Sequence, residues 1–261
     1  MDLLQTIALG LIQGVTEWLP ISSTGHLKLT QHFWNLNVPV AFDGLLHAGT
    51  LIVTLLFFRN DIKNILVALA KRDFKTENGK FIPLIIVGTM PTVLIGLFFG
   101  DTIDVYFSNL LQIAGALAVC GVVLYCSKLG KENSDNISYL DALLIGTAQG
   151  IAITPGLSRS GLTIAVALLL GIKREKSFNF SFLLSVPAVI GALGLTLYTQ
   201  HDALTSAGLE WAEIFAGIAV SMVVGYFALK LLRKIVADKK FYFFAVYCWL
   251  LAIAIAVLSL I

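Results

Sequence analysis

Residues 13–26 read QGVTEWLPISSTGH, and the fold turns on why this stretch stands inside an apolar N-terminal run. It holds a carboxylate (Glu17), three consecutive hydroxyl residues (Ser22, Ser23, Thr24), a histidine (His26) and a proline (Pro20). Proline removes a backbone donor and interrupts a helix. Irregular backbone and ionisable groups persist at membrane depth only where protein or a water-filled cavity surrounds them. The stretch therefore reads as the tip of a helical hairpin that enters a bilayer and returns, not as part of a crossing helix.

The rest of the chain supports a membrane setting. Of 261 residues, 57% are hydrophobic and 13% charged, with a mean hydropathy of +0.87; soluble domains are about 25% charged. Long apolar runs without strict alternation indicate helices rather than a β-barrel. A net charge of +2 gives no reason to expect nucleic acid as a partner. Cys120, Cys126 and Cys248 sit in apolar runs and read as small packing residues. The start Met1-Asp2 has no basic n-region, so a cleaved signal peptide is not expected. No linker divides the chain, and 1–261 reads as one membrane domain.

Six runs are long enough to cross a hydrocarbon core, which takes roughly 20 residues: 40–58, 81–100, 109–127, 178–199, 211–232 and 241–261. The regions 1–35 and 140–171 are apolar but interrupted. In the second, Thr154-Pro155-Gly156 leaves arms of roughly 20 Å each, too short to cross alone. Both regions are expected to be re-entrant hairpins. The distribution of the 18 Lys and Arg agrees with this layout. They cluster in 59–80, 128–139, 173–176 and 230–240, while 101–108 and 200–210 have none. With six crossings and two hairpins, all four basic segments fall on one face. The positive-inside rule makes that face cytoplasmic and puts both termini outside. Lys28 and Arg159 alone escape the clusters. Lys28 can snorkel to an interface, but Arg159 sits at the second break and needs an anion, since an arginine near mid-bilayer costs about 2.5–3.5 kcal/mol on insertion scales.

Sliding the sequence by 136 positions superposes the two broken regions. Gln13-Gly14 falls on Gln149-Gly150, and Ser22-Ser23-Thr24-Gly25 falls on Ser158-Arg159-Ser160-Gly161. The chain thus divides into repeats of about 1–130 and 137–261, each one hairpin plus three spans. Three is odd, so the second repeat is expected upside down relative to the first. Inverted repeats place their sites near the midplane, where interrupted helices meet.

At each tip, hydroxyl residues stand at a helix N-cap, where they accept from open N–H groups. Two opposed helix N-termini plus Arg159 describe an anion site suited to phosphate. Substrate-binding candidates are Ser22, Thr24, Gly25, Thr154, Ser158, Ser160 and Gly161. Ser23 and His26, three apart on a helix, can face one another as nucleophile and base. Glu17 has three readings: metal ligand, partner that orients His26, or ion pair with Arg159 that merely locks the hairpins. Gln13, one turn earlier, can add a neutral oxygen. Asp43 is expected to cap its helix, with His47 one turn along at a site entrance. A transporter that flips a lipid phosphate is the competing reading, because inverted repeats with opposed hairpins are a transporter architecture. The reactive set Glu17, Ser23 and His26 favours an enzyme.

These two segments resemble the signatures of the undecaprenyl-diphosphate phosphatases, also called bacitracin-resistance proteins. QGVTEWLPISSTGH is similar to that family's E/Q-G-x-T-E-F/W-L-P-I/V-S-S-T-G-H, and TPGLSRSG (residues 154–161) to its P-G-x-S-R-S-G. The resemblance extends over the whole chain. It implies hydrolysis of a C55 polyprenyl diphosphate to the monophosphate carrier and phosphate for peptidoglycan synthesis. It further implies bacitracin resistance, residence in the plasma membrane with a site open to the extracytoplasmic side, and compatibility with a homodimer. By motif position, Glu17, Ser23, His26 and Arg159 carry the functional roles. The family is described as stimulated by Mg²⁺ or Ca²⁺, for which Glu17 and Gln13 are the candidate ligands. Glutamine at 13 removes one negative charge from a two-carboxylate metal arrangement.

Overall fold

The computed structural model describes residues 2–36, 38–199 and 211–259. The expected basic-free loop 200–210 and the end of the last span lie outside the described residues. Those residues form an all-helical bundle with two interrupted hairpins. The first hairpin is α1 (Leu3–Trp18) and α2 (Ser23–Phe33); the second is α7 (Tyr139–Ile151) and α8 (Arg159–Leu169). The other long helices are α3 (Val40–Phe57), α5 (Glu77–Tyr106), α6 (Leu110–Cys126), α9 (Arg174–Thr199), α10 (Trp211–Ala237) and α11 (Phe244–Leu258, entered through a 3-10 turn at Phe241–Phe243). The helix α4 (Arg59–Ala70) leaves α3 at 75°. Among the described residues five helices are long and apolar enough to cross a membrane, or six if α3 and α4 are taken as one bent span. The chain is a multi-pass membrane protein.

Several helices outrun the apolar windows read from sequence. Thr76 caps α5 by accepting from the Gly79 amide at 3.3 Å, and Asp2 with Gln5 forms a capping box on α1. Hydropathy marks only the part of a helix that suits hydrocarbon; capped polar ends extend beyond it.

The packing pairs elements across the two halves. Helix α1 lies against α10 and α7 against α5, while α3 pairs with α9 and α6 with α11. A shift of 136 positions turns the first pair into the second and exchanges the members of the other two. Glycine permits the closest approaches. A Cβ on Gly10 would fall 2.5 Å from the Gly217 carbonyl, and one on Gly146 would strike the Gly88 carbonyl. Beneath the tips, Trp18, Phe58, Phe178 and Phe182 form a buried aromatic cluster, with ring centroids 4.7–5.9 Å apart.

At one end, ion pairs tie the four basic segments together. Lys176 meets Glu77, Arg174 meets Glu132 at 2.8 Å, Arg233 meets Glu175 at 3.6 Å, and Lys239 meets Glu132 at 3.8 Å. Segments that sequence alone assigned to one face therefore meet in space.

Candidate active site

The two tips are built alike and bonded to each other. In the first, Pro20 closes the turn after α1, and Ser22 adopts φ +67°, ψ 99°. The Ser22 hydroxyl accepts from the Gly25 amide at 3.2 Å, capping α2. In the second, Gly156 takes φ +97°, and the Ser158 hydroxyl accepts from the Gly161 amide at 3.2 Å, capping α8. The Ser22 hydroxyl also accepts from the Gly156 amide at 3.1 Å, and the Ser160 hydroxyl donates to the Trp18 carbonyl at 3.0 Å. Each tip thus supplies a hydroxyl that satisfies an open backbone group of the other. The amides of Ser23, Thr24, Arg159 and Ser160, in the first turns of α2 and α8, have no hydrogen-bond partner among the described residues. Free amides at two adjoining helix N-termini suit an anion.

Glu17 is the hub beside this junction. It is 8% exposed. Its Oε1 pairs with Arg159 Nη2. Its Oε2 accepts from Ser23 Oγ at 2.7 Å and from Gln13 Nε2 at 3.3 Å, and lies 3.3 Å from His47 Nε2. Arg159 Nη1 is buried with no partner among the described residues. One arm of the guanidinium is therefore engaged and the other is available for an anion.

His26 does not face Ser23. Its Nδ1 donates to the Ser22 carbonyl at 2.7 Å, and its Nε2 accepts from the Tyr247 hydroxyl at 2.7 Å, the two rings lying nearly parallel. The expected Ser23–His26 pair is replaced by Ser23–Glu17. The reason is local: Ser23 is the first helical residue after a left-handed Ser22, and its hydroxyl turns back across the turn to the α1 arm. The helical spacing that puts residues three apart on one face does not set where that side chain points.

The remaining candidates separate by use. Ser22, Gly25, Ser158, Ser160 and Gly161 spend their side-chain or amide groups on building the tips. Thr24 and Thr154 keep hydroxyls with no partner among the described residues. Asp43 is not a cap: α3 starts from Pro39 without a side-chain cap, and the Asp43 carboxylate accepts from Gln31 Nε2 at 2.9 and 3.2 Å. His47 lies against Glu17 rather than at an entrance. Tyr247 was not legible beforehand, because it reaches His26 from 221 positions away with no local motif around it.

A resident metal does not fit these residues. Glu17 already takes donors on both oxygens, one from a guanidinium, and Gln13 offers a single unpartnered Oε1. Among the described residues no group of three or more His, Cys, Asp or Glu is arranged to hold a metal ion.

Ser23 donating to a carboxylate, beside a half-free arginine and two helix N-termini, is an arrangement that can supply a nucleophile and a proton acceptor to a bound anion. The model of the family described as bacitracin resistance protein BacA matches residues 6–254. The chain is 40% identical to the undecaprenyl-diphosphatase of Carboxydothermus hydrogenoformans, over 99% of this chain and 98% of that one. It is 41% identical to the undecaprenyl-diphosphatase of Halothermothrix orenii, over 99% of each. With the undecaprenyl-diphosphatase of Korarchaeum cryptofilum it shares 37% identity, over 98% of each.

Proposed function

This chain belongs to the bacitracin resistance protein family, and on that premise we propose that it is an undecaprenyl-diphosphate phosphatase. It removes the terminal phosphate of the C55 polyprenyl diphosphate, leaving the monophosphate carrier used in cell-envelope synthesis, and so confers bacitracin resistance. The observation that carries this reading is the Ser23 hydroxyl held 2.7 Å from the buried Glu17 carboxylate, at the junction of the two hairpin tips.

In this reading the terminal phosphate binds at the free amides of the two tips and at Arg159 Nη1, while the prenyl tail remains in lipid. Ser23 Oγ attacks phosphorus. The Oγ–P bond forms, the bond from phosphorus to the bridging oxygen breaks, and Glu17 takes the hydroxyl proton and releases it to the departing phosphate. Water then attacks the phosphoserine. The Oγ–P bond breaks, phosphate leaves, and the proton lost by water reaches Ser23 through the Glu17 carboxylate. Charge on the transferring group is met by positioned donors, the main source of catalysis in phosphoryl transfer. His26, held between Ser22 and Tyr247, lines the phosphate volume rather than taking the Ser23 proton. No step needs a resident metal. A stimulating Mg²⁺ or Ca²⁺ would come with the diphosphate, as Mg²⁺ commonly does with substrate phosphates.

The same proposal places the basic ends in the cytoplasm of a plasma-membrane protein, inserts repeats 1–130 and 137–261 in opposite senses, and opens the site extracytoplasmically.

The test is phosphate release from farnesyl and undecaprenyl diphosphate by purified protein, with and without chelator. Wild-type protein releases phosphate, and Ser23→Ala and Arg159→Ala lose at least about 100-fold, the scale of a lost nucleophile or oxyanion donor. Near-normal rates in both variants would remove the site assignment. A trapped phosphoenzyme that survives in Ser23→Ala would move the nucleophile elsewhere.

A further inference from the structure

We infer that His47 is a positioning residue of the reaction, holding the Glu17 carboxylate in the orientation that receives the Ser23 proton. The inference rests on the phosphatase reading above. His47 lies on α3, outside both hairpin motifs. Its Nδ1 is 2.8 Å from the Asp43 carbonyl and its Nε2 is 3.3 Å from Glu17 Oε2. A carbonyl oxygen only accepts, so Nδ1 carries a hydrogen and the ring is fixed from that side. Nε2 faces the same carboxylate oxygen to which Ser23 donates, and because Nδ1 already holds a hydrogen it donates there only from the doubly protonated ring, so His47 acts on Glu17 as an imidazolium.

The geometry explains why such a residue is needed. Arg159 holds Oε1, but its guanidinium serves two anions once phosphate arrives, through Nη2 to Glu17 and Nη1 to the phosphate. Gln13 reaches Oε2 only at 3.3 Å and from the same helix as Glu17. Apart from Ser23, which is the reacting group, His47 is the contact that reaches Oε2 from a separate element. The element is itself anchored: Gln31 on α2 binds the Asp43 carboxylate, and Ser221 of α10 donates to the Leu46 carbonyl at 3.2 Å. A line of contacts thus runs from α10 and α2 through α3 to His47, then to Glu17 and Ser23. Outer partners that orient metal-ligating side chains carry about 10–100-fold in affinity or activity, and a carboxylate oriented for proton transfer is expected to depend on its partner on the same scale.

The two nitrogens can be tested separately. Asparagine at 47 places an amide where Nδ1 stands and keeps the bond to Asp43, but stops short of Glu17. Glutamine places its amide where Nε2 stands and keeps a donor on Oε2. In kinetics on polyprenyl diphosphate, His47→Asn and His47→Ala lower kcat by about 10–100-fold with KM within about threefold, and His47→Gln recovers most of the loss. Thermal unfolding in detergent reports whether each variant is folded; the Asn–Gln pair, alike in polarity, serves even if the alanine variant is not. Equal kcat for the Asn and Gln variants, or a loss confined to KM, overturns the role of His47. An inactive wild-type protein would instead overturn the phosphatase reading on which it rests.

Discussion

Glu17 gathers four partners on two oxygens, and the sequence already offered the bland account that it only locks the hairpins through Arg159. The two accounts predict different behaviour for a lysine at 159. Lysine can neutralise Glu17, but as a point charge it cannot fork between a carboxylate and a phosphate. Arg159→Lys is therefore expected to unfold within a few degrees of wild type while phosphate release falls at least about tenfold. Parallel falls in both would reduce Arg159 to the lock. Arg159→Ala leaves a buried carboxylate short of its strongest partner, a change on the order of 3–5 kcal/mol where buried pairs are broken. Adding Glu17→Gln to it restores much of that stability and none of the activity, as read by melting in detergent beside the phosphate assay. Glu17, Ser23 and Arg159 were legible because polar groups in an apolar run require partners. The partner of Ser23 was not, since the left-handed Ser22 redirects the hydroxyl and helical spacing carries no trace of that. His47 was visible only as a neighbour of Asp43 on α3; its contact with Glu17 depends on how α3 packs on α1.

The hairpins work as elements because each tip completes the other. Ser22 is the central joint: its hydroxyl caps α2 and accepts from Gly156, and its backbone occupies a conformation that favours glycine. Two substitutions separate these contributions. Ser22→Ala removes both accepted bonds and keeps the strained backbone, with an expected cost of about 1–2 kcal/mol from the lost cap and the buried Gly156 N–H. Ser22→Gly removes the same bonds but relieves the backbone, so it melts above Ser22→Ala by about 1 kcal/mol equivalent. The reverse order would mean that φ +67° carries no strain at this tip. Ser160→Ala, which loses the bond to the Trp18 carbonyl and the 3.2 Å contact with the Ser158 hydroxyl, is expected to cost about 0.6 kcal/mol for each, the average for interhelical hydrogen bonds in membranes. The shared QG and S-x-S/T-G spacing gave the expectation of a repeat, yet the joints between tips had no such signal. They link Ser22 to Gly156 and Ser160 to Trp18, residues that the 136-residue shift does not superpose.

For the whole molecule, the placement of charge along the chain carries the most exacting prediction. Two hairpins that return to their own side leave six crossings and gather four basic segments on one face; the second hairpin, had it crossed, would split them between faces, whereas the first precedes all four. The ion pairs among Glu77, Glu132, Glu175 and the lysines and arginines opposite them bring those segments to one end of the bundle. The opposite end of α5 holds Asp104, exposed and far along the same helix from Glu77. Single cysteines at Lys71, Lys131 and Lys239, all exposed, and at Asp104, in a background lacking Cys120, Cys126 and Cys248, turn this into a measurement. With a membrane-impermeant thiol reagent, Asp104→Cys should label in intact cells, whereas the three lysine positions label only in inverted vesicles. Lys239→Cys behaving like Asp104→Cys, while Lys71→Cys and Lys131→Cys do not, would mean that the second hairpin crosses the bilayer. The second half would then cross an even number of times, and the opposed insertion proposed for the two repeats would be lost.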